Sequence, residues 1–141
     1  MRRRRFLAAL GAAGIATVGG CATTGALGSG GGDYDVGMRA VAFDPAELTV
    51  SVGDEVVWRN TSSRGHSVTA YEDGIPDGAA YFASGGYDSE SAAREAWRTD
   101  LGGNVTSGNE YAHRFETPGT FNYFCIPHER GGMVGRVVVE A

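Results

Sequence analysis

The chain has 141 residues, 42% of them hydrophobic, enough for one domain with a sizeable core. It carries 12 basic and 17 acidic residues, a net charge of −5, and every basic residue is Arg. With no basic patch, nucleic-acid binding is excluded as a function class.

Arg2 to Arg5 precede an apolar, Ala/Gly-rich stretch from Phe6 to Val18. That stretch is shorter than the ~20 residues a bilayer-spanning helix needs. It reads as the core of an export signal. Arg3-Arg4-Arg5-Phe6-Leu7 fits the twin-arginine pattern, a route that carries folded proteins. Val18-Gly19-Gly20-Cys21 has the form of a lipobox, which makes Cys21 a candidate lipid anchor. The second cysteine is Cys125. A Cys21–Cys125 disulfide would staple a Gly-rich leader to the core, so the two are expected to serve separate purposes.

Residues 1–21 are thus expected to be a lipoprotein signal, 22–34 a linker and 35–141 the folded domain. Ala22 to Gly32 is Gly/Ser/Thr/Ala-rich and predicts a flexible tether spanning about 18 Å. Without Arg2 to Arg5 the balance is 8 basic to 17 acidic residues, a net of −9. An acidic, Lys-free chain of this kind suits a surface that must stay hydrated in concentrated salt.

From Tyr34 onward short strand patterns alternate with turn residues. Val36 to Phe43 predicts one strand, ended by Asp44-Pro45. Leu48 to Val52 follows, then the turn Gly53-Asp54 and a strand over Glu55 to Asn60. Trp58 there reads as core. Thr61 to Gly65 is a polar loop, and His66 to Tyr71 begins the next strand. Glu72 to Asn109 is a long insert broken by Gly and Pro. Within it Asp88 to Thr99 predicts a short helix capped by Asp88 or Ser89. Ala92, Ala93, Ala96 and Trp97 form its apolar face, with Trp97 as the anchor and Glu90 and Glu95 as surface charges. Glu110 to Glu116, Phe121 to Cys125 and Gly135 to Glu140 complete the set. Seven or eight short strands at this spacing predict an all-β, antiparallel Greek-key sandwich or barrel with one short helix in an insert.

The chemistry concentrates in Cys125-Ile-Pro-His128, followed by Met133. A thiolate, an imidazole and a thioether within nine residues suit a copper ion that must exist as both Cu(I) and Cu(II). Two imidazoles, one thiolate and a weak axial thioether make a blue-copper electron-transfer site. A further His is therefore required from another strand, to tie the sheets together. His66 follows a polar turn, at one end of the sandwich. His113 lies inside an alternating strand with Tyr111 and Phe115, where packing is the simpler reading. The predicted copper ligands are His66, Cys125, His128 and Met133, with no residues left for catalysis.

This constellation resembles the cupredoxin family, and within it the plastocyanin-like branch. The resemblance covers roughly Val36 to Glu140. It rests on the C-x₂-H-x₄-M spacing, on Phe43-Asp44-Pro45 and on Val52 to Asn60. The lipobox, the acidic composition and Phe124-Cys125-Ile126-Pro127-His128-Glu129 are similar to the membrane-anchored, haloarchaeal halocyanin members. The resemblance implies a one-electron carrier, not an enzyme, working as a monomer with redox protein partners on the outer face of the cytoplasmic membrane. It also implies that His128 is the electron port. Many relatives carry Asn after the first His to brace the Cys loop; Ser67 stands there, and its hydroxyl predicts a shorter brace. A copper-delivery protein without redox duty is the alternative. Multicopper enzymes need more His than this chain has, and Met is a poor zinc ligand.

Overall fold

The computed structural model describes residues 33–141. The expected export signal, Cys21 and the expected tether to Gly32 lie outside the described residues. Among the described residues, eight strands form two four-stranded sheets. The first contains β1 (Val36–Met38), β2 (Phe43–Asp44), β4 (Glu55–Asn60) and β6 (Glu110–Arg114), in the order β2-β1-β4-β6. The second contains β3 (Glu47–Ser51), β5 (Thr69–Ala70), β7 (Gly119–Phe124) and β8 (Val134–Glu140), in the order β3-β8-β7-β5.

The strands follow the expected alternation. In β8, Val137 and Val139 are buried while Arg136 and Glu140 are exposed. Between the sheets Trp58 is fully buried. Its ring meets Tyr123 edge-on at 5.4 Å and lies 6.1 Å from Phe82 and 5.7 Å from Tyr111. Each such aromatic pair contributes about 0.5–1.5 kcal/mol beyond its buried area.

The structure corrects four local expectations. Val36 to Phe43 is not one strand: Arg39 N–H donates to the Ala42 carbonyl at 2.8 Å, closing a turn between β1 and β2. Two pairings are parallel rather than antiparallel, β1 with β4 and β3 with β8. His66 lies before the strand that begins at Thr69, and pairs instead through an isolated bridge with Val105. On the insert helix α1 (Glu90–Asp100), Ala93 is buried and Ala92 is exposed. Trp97 is only half-buried, and Arg94 pairs with Glu129 outside the helix at 2.9 Å. Its cap is as expected, with Ser89 Oγ accepting from Ala92 N–H at 3.1 Å.

Strand register gathers the functional loops at one end. The end of β1 lies beside the end of β4, since Met38 pairs with Asn60. The start of β6 lies beside that same end, since Arg59 pairs with Glu110. The end of β7 lies beside the start of β5 through Phe124 and Thr69. Loops 61–68, 101–109 and 125–133 therefore converge. No helix of the described residues is long and apolar enough to cross a membrane.

Candidate metal centre

Three candidate ligands meet at this end. Cys125 Sγ lies 3.5 Å from His66 Nδ1 and 3.5 Å from His128 Nδ1. All three ligand atoms fall within 4.8 Å of one another. His66 and Cys125 are fully buried and His128 is half-buried. Met133 is fully buried in the same core cluster as Cys125. His113 is not in the group; it stacks on Phe82 at 4.7 Å, as its mid-strand position implied.

The Cys125–Met133 loop holds its own shape. Cys125 N–H donates to the Met133 carbonyl at 3.0 Å, and Met133 N–H to the His128 carbonyl at 3.2 Å. His128 N–H donates to the Cys125 carbonyl at 3.2 Å. Gly132 closes the short 3₁₀ turn at φ 90°, a left-handed conformation that glycine adopts without strain.

Ser67 provides the brace that its position predicts. Its Oγ accepts from Ile126 N–H at 2.8 Å and shares a hydrogen bond with Thr69 Oγ1 at 3.0 Å. Its own backbone N–H points at Cys125 Sγ, 3.4 Å away. That contact favours a thiolate, whereas burial pushes the Cys125 thiol up to about 11. A cation entering the site must therefore displace a proton.

A second contact, on His66, is not legible in the sequence. His66 Nε2 lies 3.0 Å from Ser62 Oγ. The single proton of Ser62 goes to Asn60 Oδ1 at 2.8 Å, because the Asn60 amide nitrogen is already committed to the carbonyls of Arg64 and Val105. His66 Nε2 must then be the donor, leaving the Nδ1 lone pair facing Cys125. Burial and the neighbouring His128 lower the His66 pKa to about 4, so this lone pair survives in mild acid. Burial and Arg64 lower His128 as well.

Two neutral imidazoles and one ionisable thiol on a preformed frame fit a soft, redox-active cation better than Mg²⁺ or Ca²⁺, which demand oxygen ligands. Comparison with known proteins agrees. The family of copper-binding proteins that includes plastocyanin and azurin matches residues 32–140. The chain is 32% identical over 101 residues to chloroplastic plastocyanin of Tetradesmus obliquus, covering 72% of this chain and 60% of that protein's own length. It is 31% identical to plastocyanin of Scenedesmus fuscus, covering 89% of that protein. Among solved structures, pseudoazurin from Methylobacterium extorquens superposes with a TM-score of 0.55 at 26% identity, covering 76% of this chain and 74% of that one. An oxidised amicyanin mutant also gives 0.55 at 26% identity, over 79% of this chain and 86% of that one.

Proposed function

Because the chain belongs to the plastocyanin/azurin family of copper-binding proteins, we propose that it is a blue-copper one-electron carrier. Copper is its cofactor, and when bound it supplies a Cu(I)/Cu(II) couple. In this reading His66 Nδ1, His128 Nδ1 and the Cys125 thiolate hold the ion, with Met133 as a weak fourth ligand. One observation carries the reading: two imidazole nitrogens converge on one buried sulfur at 3.5 Å each. Ser62 fixes the proton on the far side of His66, and Ser67 holds the loop behind Cys125. The ligands are already together, so little rearrangement accompanies electron transfer.

His128 is the port in this reading. Pro127, Gly131, Gly132 and Val134 around it are exposed, small or apolar, as a docking face for a redox protein requires. The protein is read as a monomer held on the outer face of the cytoplasmic membrane through Cys21 and the tether, after export by the twin-arginine route. The lipobox, the acidic Lys-free composition and the Arg3-Arg4 motif support that part.

The test is the visible spectrum of the copper-loaded protein before and after ascorbate. An intense thiolate-to-copper band that bleaches on reduction is expected, and Cys125→Ser should remove it while the fold remains. A colourless Cu(II) form would point instead to copper delivery without electron transfer.

A further inference from the structure

Arg94 of the insert helix touches the residue before Cys125 and the residue after His128. Its Nε and Nη2 donate to Glu90 Oε2 at 3.0 and 2.8 Å, an i,i+4 pair that orients the guanidinium. Its Nη1 and Nη2 donate to Glu129 Oε1 and Oε2 at 2.9 and 3.2 Å. Its Cζ lies 4.3 Å over the Phe124 ring. Tyr71 completes the cage: its hydroxyl donates to Glu129 Oε2 at 2.6 Å, and its ring stacks on Phe124 at 4.3 Å. Phe124 immediately precedes Cys125, and Glu129 immediately follows His128.

We propose that Arg94 is a positioning residue that clamps segment 124–129 from outside, holding Cys125 and His128 in their ligand geometry whether or not metal is bound. Three features separate the clamp from an ordinary surface ion pair. The guanidinium is shared between two carboxylates. The pair with Glu129 is bidentate, which fixes direction as well as distance. All partners are half-buried around an aromatic face, where salt screens less than at an exposed site. The Arg98–Glu95 pair on the same helix has none of these features and is exposed.

The proposal rests on the carrier reading only in calling this segment the ligand loop. Its main test uses no metal. Amide hydrogen exchange is measured on the copper-free protein for wild type, Arg94→Ala, Arg94→Lys and the control Arg98→Ala. In Arg94→Ala the amides of His128, Gly132 and Met133 should exchange about tenfold faster, with amides of β3 and β8 unchanged. Arg98→Ala should match wild type. Arg94→Lys, keeping charge but losing the planar fork, should fall between. In the copper-loaded protein, transfer of the metal to a chelator should quicken in the same order. If Arg94→Ala loosens the whole domain, Glu129→Gln decides, since it leaves the Arg94–Glu90 pair intact. Loosening confined to the loop in Glu129→Gln sustains the clamp, and uniform loosening there overturns it. Equal loop exchange in Arg94→Ala and Arg98→Ala also overturns it. An absent visible band would defeat the carrier reading while leaving the metal-free exchange comparison decisive for the clamp.

Discussion

Replacing Ser67 by Ala isolates the brace behind the ligand loop. Ser67 is 1% exposed, and its hydroxyl serves two partners, Ile126 N–H at 2.8 Å and Thr69 Oγ1 at 3.0 Å. The Ser67 backbone N–H that faces Cys125 Sγ is untouched by the change. A buried partner left without its hydrogen bond costs about 1–3 kcal/mol. Ile126 is only half-buried, so water can recover part of its loss. Thr69 is fully buried and cannot recover in that way. The expected destabilisation is therefore about 1–2 kcal/mol, which for a domain of about this size lowers Tm by roughly 4–10 °C. Urea denaturation of the copper-free protein measures it, with Ser63→Ala at an exposed neighbour as the control. The wavelength of the copper band should hardly change, because the thiolate keeps its own donor. A Ser67→Ala protein as stable as Ser63→Ala would refute the brace. A large shift of the band with unchanged stability would refute the division of labour between hydroxyl and backbone.

The remaining predictions concern protons and docking. His66 has a folded pKa of about 4, below its unfolded value, so its contribution is fully present above about pH 6.5 and is lost as the pH falls toward 4. His128 and His113 shift the same way. Denaturation midpoints of the copper-free protein should fall monotonically across that window. Ser62→Ala removes the side-chain acceptor for His66 Nε2–H, leaving the ring its hydrogen bond to the Arg39 backbone, and should raise the share of the other tautomer, visible in the imidazole ¹⁵N shifts of the metal-free protein. Val134, 44% exposed, borders the proposed port. Val134→Asp should slow electron transfer at high salt more than reversing a distant acid such as Asp77, because at 1 M salt the Debye length is only about 3 Å.

The strands and three of the four candidate ligands were legible because both are marked locally. Alternating β-branched and aromatic residues mark β4 and β8, and Cys125, His128 and Met133 sit on one short loop. His66 was legible by elimination among three histidines. The turn at Arg39–Ala42 was hidden because it contains no Gly, Pro, Asn or Asp. The parallel pairings were hidden because register depends on the partner strand, not on the strand itself. Thr61-Ser62-Ser63 presents three hydroxyls in a row, and only the folded loop selects Ser62 to receive the His66 proton. The Arg94–Glu90 pair has helical spacing, but Glu129 stands 35 residues further along and no periodicity connects them.

The two imidazoles arrive on different loops. His66 lies on the crossing from β4 of the first sheet to β5 of the second and bridges to Val105 ahead of β6, whereas His128 follows β7 of the second sheet. A shared ion would then act as a removable crosslink between these two loops. Its strength would follow free copper by mass action, adding about 2.7 kcal/mol at a hundred times the dissociation constant. Copper supply would thereby adjust the stability of the ligand end, on top of the frame that Ser67 and Arg94 hold without metal.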